Sequence, residues 1–182
     1  MAVMTQSAPA FLDALHANGS SADRGANMDL YGWLVGSWEI DVTEFGQDGS
    51  RQVRPGEWHF GWVLEGRAIQ DVWIVPPRGA RQPDAAANRK YYGTTLRVYD
   101  PRIDAWHIQW TDPVAQAYLT MIGRKQSEDI VQGGTDAAGN LRRWSFSEIT
   151  KKSFRWRGEV SADGGATWHL HMEFFARRVD SA

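Results

Sequence analysis

Asp71 and the five histidines are the side chains of this chain best suited to moving protons. Asp71 lies between Ile69 and Trp73 at a spacing of two, so on a β-strand all three share one face. A carboxylate on so apolar a face is costly to bury and is pushed toward its protonated form. There it could orient a ligand hydroxyl or amine, or serve as a general acid or base. The other reading places Asp71 near a rim, or in an ion pair with an arginine such as Arg97. His59 and His107 each sit between aromatic or apolar neighbours, on the parity opposite to the tryptophans. If a bulge at Pro55-Gly56 reversed that parity, they would join Gln70, Gln109 and Arg97 and exchange protons with Asp71 near neutral pH. Without the reversal they face outward or a subunit contact. Glu148 follows Trp144 and Phe146 on an apolar parity, but near a strand end where exposure is expected.

His169 and His171 form a His-x-His pair, which on a regular strand places both imidazoles on one face. A metal would need a third converging ligand, and no matching acidic or histidine cluster appears, so no metal site is expected. The chain has no Gly-rich phosphate loop, no Gly-x-Ser-x-Gly elbow and no His-Glu-x-x-His. Cysteine is absent, which rules out disulfides and thiolate chemistry and is compatible with a cytoplasmic protein.

The strongest signal is aromatic. Ten tryptophans occur in 182 residues, many at a spacing of two. Trp58, Phe60, Trp62 and Leu64 form one such series; Trp106, Ile108 and Trp110 form another, as do Trp144 and Phe146, and Phe154 and Trp156. Each series occupies one face of a strand. An indole carries one N–H that wants a partner when buried, so such a face suits a ligand-lined cavity better than a tightly filled core.

Those strands must be positioned by a β architecture. Alternating or turn-bounded segments lie at about 38–42, 51–64, 68–75, 91–99, 105–111, 118–124, 129–132, 141–149, 153–160 and 168–177. The turns Gly46-Gln47-Asp48-Gly49, Asp100-Pro101-Arg102, Ala138-Gly139-Asn140 and Asp163-Gly164-Gly165 separate them, and Gly133-Gly134 reads as another. Short connections between successive strands predict an up-and-down antiparallel sheet, and closure of about ten strands removes its exposed edges. The all-β reading is therefore a single closed barrel with a short N-terminal helix. Residues 1–29 form an extension carrying that helix at 9–17, and 30–179 form the barrel. Residues 1–8 read as disordered, 18–27 as a flexible connector, and the polar loop to about Lys90 as mobile. The helix is expected to cap the barrel, cover its mouth or contact a second copy.

A net charge of −2 gives no basic footprint for nucleic acid. No apolar run approaches the ~18 residues of a membrane-spanning helix, and no membrane association is expected.

Leu34-Val35-Gly36-Ser37-Trp38-Glu39 resembles the Gly-x-Trp signature of lipocalin and calycin barrels. The Tyr99-Asp100-Pro101 turn, and Ser161-Ala162-Asp163-Gly164-Gly165-Ala166-Thr167-Trp168 ahead of a strand ending Arg177-Arg178, are similar to a widespread bacterial lipocalin-like family. The resemblance spans about residues 30–179. It implies that Trp38 closes the barrel end, with Arg177 or Arg178 stacked on it. Ten strands rather than eight more distantly resemble the nitrobindin-like haem-binding barrels and the fatty-acid-binding proteins, and imply a wider interior. In the nitrobindin-like barrels a final-strand histidine holds the haem, a place His171 would fill. The chain departs from that pattern in lacking the preceding proline and in carrying Glu173-Phe174-Phe175 after it.

The leading expectation is a binding protein for a small hydrophobic or aromatic molecule, held by Phe60, Trp62, Trp73, Trp106, Trp110, Trp144 and Trp156. The alternatives are an isomerase, cyclase or lyase using Asp71 with His59 or His107, haem binding through His171 with no other cofactor implied, and an interaction domain whose tryptophan face packs a homodimer.

Overall fold

The computed structural model describes residues 9–80 and 90–179. Helix α1 (Ala10–Leu15) leads into the two-residue strand β1 (His16–Ala17); a 3-10 segment (Ala22–Met28) then leads into the short helix α2 (Asp29–Gly32). The remaining strands are β2 (Gly36–Phe45), β3 (Arg51–Val63), β4 (Ala68–Val75), β5 (Tyr91–Asp100), β6 (Ala105–Asp112), β7 (Ala117–Gln126), β8 (Asp129–Thr135), β9 (Leu141–Ser147), β10 (Ser153–Ser161) and β11 (His169–Arg178). Strands β2 to β11 pair antiparallel around a closed ring: each joins its neighbour in sequence, and β11 returns to β2. The extra strand β1 lies on β3 beyond the end of β2, pairing His16 with Val63 and Ala17 with Trp62.

The period-two pattern explains the interior. Trp38, Ile40 and Val42 on β2, Trp58 and Phe60 on β3, and Ile69, Asp71 and Trp73 on β4 are all buried. Trp106 and Ile108, Trp144 and Phe146, and Phe154 and Trp156 continue that face around the ring, and Met172, Phe174 and Ala176 close it. Inward residues of every strand thus meet across one space.

Three local expectations are corrected. Pro55-Gly56 does not interrupt β3, whose pairing with β2 runs without a shift from Gly36↔Phe60 to Phe45↔Arg51. The first β4 partner is Glu57↔Ile74, so β3 has one neighbour at Pro55 rather than two, the kind of edge position that tolerates proline. Gly56 is needed there for close approach, since a Cβ would stand 2.9 Å from both the Ile40 side chain and the Ile74 carbonyl. Gly133-Gly134 is not a turn: β8 continues to Thr135, and the chain reverses at Asp136–Asn140. A Cβ on Gly134 would lie 2.3 Å from the Thr120 carbonyl, so Gly134 serves close strand contact, whereas Gly133 has open space beside it. Residues 18–27 are not a featureless connector either, because the 3-10 segment delivers Met28 and α2 into the barrel end. Residues 1–8 and most of the polar loop before Lys90 lie outside the described residues.

Candidate functional site

One barrel end is plugged. Met28, Tyr31 and Leu34 are fully buried around α2. The Tyr31 ring meets Trp106 edge-on at 4.9 Å, and its hydroxyl accepts a hydrogen bond of 2.8 Å from Gln132 Nε2. Gly123 leaves room for that hydroxyl, because a Cβ there would lie 2.4 Å from it. Burial pushes the Tyr31 phenol up to about 12.

Trp38 lies beside this plug, and its indole donates to the Leu34 carbonyl at 2.7 Å. The Arg178 guanidinium stacks 4.1 Å from the Trp38 ring centroid and donates to the backbone carbonyls of Trp33, Val35 and Lys151. Gly36 takes φ +126°, and a Cβ would stand 2.8 Å from Arg178 Nη1. The Gly-x-Trp spacing thus lets the arginine pass the first residue and reach the third. Of the two arginines proposed for this place, Arg177 is outside, paired with Asp41 at 2.8 Å.

The other end holds a cavity of about 530 Å³. Trp58, Trp73, Trp110, Trp144 and Trp156 wall it, with Tyr91, Thr95, Arg97, Met172 and Phe174. Ala115–Leu119, in the β6–β7 turn and the start of β7, and Asp136–Ala138 in the β8–β9 turn form its rim. The indoles touch one another: Trp110 meets Trp144 at 5.6 Å, Trp144 meets Trp156 at 5.4 Å, and Trp156 stacks on Phe174 at 4.4 Å.

Four of the seven predicted binding residues, Trp73, Trp110, Trp144 and Trp156, therefore border this cavity. Phe60, Trp62 and Trp106 do not. Phe60 fills the core between Trp58 and the Arg97 guanidinium. Trp62 packs on α2, where a Cβ on Gly32 would lie 3.1 Å from its ring. Trp106 packs on Tyr31 at the plugged end. All three share the inward parity, but parity fixes a face and not a height along the barrel.

Asp71 is buried against Arg97, with which it forms an ion pair, and accepts a 3.1 Å hydrogen bond from the Thr95 N–H. Burial raises its pKa and the Arg97 charge opposes that rise. The Trp58 N–H also favours the anion but does not reach hydrogen-bond geometry. His59 and His107 are on the outer face, as the unbroken parity of β3 requires. His59 Nδ1 lies 2.8 Å from Ser37 Oγ and its Nε2 3.1 Å from Glu57, while His107 Nε2 lies 3.2 Å from Asp100. Asp71 and these histidines are thus not brought together. Glu148 ends its strand exposed and paired with Arg155 at 3.0 Å.

His171 reaches the cavity by a device that the spacing did not show. The β10–β11 register shifts between Gly158 and Glu159: Gly158 faces Met172 and Glu159 faces Leu170, leaving His171 as an extra residue. Such a bulge re-aims a side chain, and both His171 and Met172 border the cavity. Gly158 makes the space, because a Cβ there would lie 2.9 Å from His171 Cε1 and 2.7 Å from the Trp156 ring. His169 remains exposed, so the regular His-x-His face is broken. Burial, aided by the Arg142 charge, pushes the His171 imidazole down to about 4, and its Nδ1 is buried without a partner. Among the described residues no cluster of three or more His, Asp or Glu side chains could hold a metal ion. No helix among them is long and apolar enough to cross a membrane.

A closed ten-stranded antiparallel barrel with an aromatic cavity at one end is the class of protein that these features define. No protein-family model matches the chain, and no curated protein matches it. Among solved structures it is similar to the S-type phycobiliprotein lyase CPES from Guillardia theta, at 11% identity and a TM-score of 0.57, over 85% of this chain and 93% of that one. It is also similar to Rv2717c from M. tuberculosis, at 11% identity and a TM-score of 0.55, over 85% of this chain and 98% of that one. At such identities the likeness is one of fold.

Proposed function

We propose that the protein binds a small, flat, largely apolar molecule in the cavity at the open end of the barrel. The observation that carries this reading is the wall of five indoles around about 530 Å³, within the ~300–1,000 Å³ typical of small-molecule sites. Aromatic walls reward a ligand that stacks on them, and rings already in mutual contact lose little freedom when it enters. The plug of Met28, Tyr31 and Leu34 and the Arg178–Trp38 stack support a lipocalin-like reading of the barrel, in which one end is sealed and the other admits ligand. The test is titration with 1-anilinonaphthalene-8-sulfonate, whose emission rises in apolar surroundings. Saturable one-site enhancement is expected for the native protein, and its loss in Ala117→Trp, which places a large side chain at the rim. Enhancement that never saturates, or that survives Ala117→Trp, contradicts the proposal.

A second reading is favoured by His171 Nδ1, a buried ring nitrogen without a partner on an imidazole that burial keeps neutral. That is the donor chemistry a haem iron accepts. In this reading His171 would hold the iron, and the indoles would supply the apolar surroundings. Haem addition is then expected to give a sharp Soret band that disappears in His171→Phe. A broad band, equal in both proteins, sinks it.

A further inference from the structure

The cavity has a chemical polarity that its aromatic lining hides. Trp73 and Arg97 stand on the adjacent strands β4 and β5, both buried and both bordering the cavity. The Trp73 Nε1 and Arg97 Nε hydrogens have no acceptor, and the Trp58 N–H beside them reaches none either. Arg97 already gives one nitrogen to Asp71, and its guanidinium lies 5.4 Å from the Phe60 centroid and 5.5 Å from that of Tyr31. Asp71, the carboxylate that Arg97 pairs with, is therefore engaged, while the Trp73 Nε1 and Arg97 Nε hydrogens remain without an acceptor. Buried donors are rarely left unmatched, because each forfeits the hydrogen bond it had in water.

We infer that the ligand of this cavity carries hydrogen-bond acceptor oxygens on a flat conjugated frame, as in a quinone or an aromatic carboxylate, and presents them to Trp73 Nε1 and Arg97 Nε. This inference rests on the binding reading above and adds the ligand's polar chemistry to it. A ligand donor group directed at the same wall would meet N–H groups and no free acceptor, so hydroxyl- or amine-directed recognition is disfavoured there.

The test displaces the bound dye from the full-length protein with naphthalene, 1,4-naphthoquinone, 2-naphthoate and 2-naphthylamine. One donor–acceptor match in a buried site predicts that a probe with acceptor oxygens binds roughly tenfold or more tightly than naphthalene. 2-Naphthylamine should gain nothing from this wall, and any gain it draws from the unpartnered His171 Nδ1 should survive Trp73→Phe. Preference for the quinone identifies a neutral carbonyl ligand, and preference for the naphthoate an anionic one. Trp73→Phe, which keeps a ring and removes the N–H, should collapse that preference while naphthalene binding persists. Trp144→Phe should weaken all the probes together and leave the preference intact. Equal binding of naphthalene and both oxygenated probes overturns the inference and leaves the binding reading standing. If naphthalene also fails to displace the dye, both fail.

Discussion

Replacing His171 with Phe should remove a defined part of the protein's acid sensitivity. The imidazole's ordinary value of 6.5 is pushed down to about 4 by burial and the Arg142 charge, against the weaker pull of a hydrogen bond with the Gly158 backbone and of the Glu44 and Glu159 charges. Between those values the unfolded chain binds a proton that the folded protein refuses, so stability must rise with pH across the window. The contribution is fully present above about pH 6.5 and is lost as the pH falls toward 4. Linkage gives a loss of about 2 kcal/mol by pH 5 and about 3 kcal/mol by pH 4. Carboxylates act lower. Glu57, against the upward push of its own burial, is held at about 2 by hydrogen bonds from Arg78, so its share is lost only below about pH 4.5. The assay is urea unfolding followed by circular dichroism at pH 7, 6, 5 and 4, for the native protein and His171→Phe. Any fixed cost of the substitution cancels in the differences between pH values. The native protein should lose about 2 kcal/mol more than the variant between pH 7 and 5. Parallel pH profiles would refute the placement of His171 inside the barrel.

Substitutions at three further places probe the frame. Asp71→Ala leaves the Arg97 charge buried and unpaired and should cost about 3–5 kcal/mol in urea unfolding, whereas Asp71→Leu with Arg97→Met should recover much of that loss. Gly36→Ala combines a φ of +126° with a Cβ 2.8 Å from Arg178 Nη1, so a loss of about 1–3 kcal/mol is expected, and little change would contradict both the backbone conformation and the close approach of the arginine. Tyr31→Phe removes the acceptor of the Gln132 amide, whose own Oε1 already lacks a partner, and should lower stability by about 1–3 kcal/mol without altering dye binding at the far end.

Strand positions and the inward face were legible because a period of two survives from β2 to β10, and short polar turns fix which strands pair. Arg97, which the register places diagonal to Asp71 across β4 and β5, was equally readable as its candidate partner. Height along the barrel was not legible. Trp106 and Trp110 share a face, yet one packs on the plug and the other walls the cavity, because strand tilt and α2 decide where the core ends. The plug itself hid in a segment rich in Gly, Asn and Asp, where Met28 and Tyr31 are too few to show a helical period. His171 was missed as an inward residue because a bulge adds one residue to the count. Gly158, beside the bulge on an otherwise inward-apolar strand, was the available hint. Trp58, Thr95, Met172 and Phe174 followed the parity, but nothing in the spacing separated cavity wall from filled core.

The most direct test of the account reads the indole N–H signals of 15N-labelled protein, assigned by single Trp→Phe substitutions, as 1,4-naphthoquinone is added. Trp58, Trp73, Trp110, Trp144 and Trp156 should shift together and saturably, Trp73 by the most, while Trp33, Trp38, Trp62, Trp106 and Trp168 stay in place. Shifts confined to Trp33 and Trp106, or spread evenly over all ten indoles, would contradict a binding cavity at the open end.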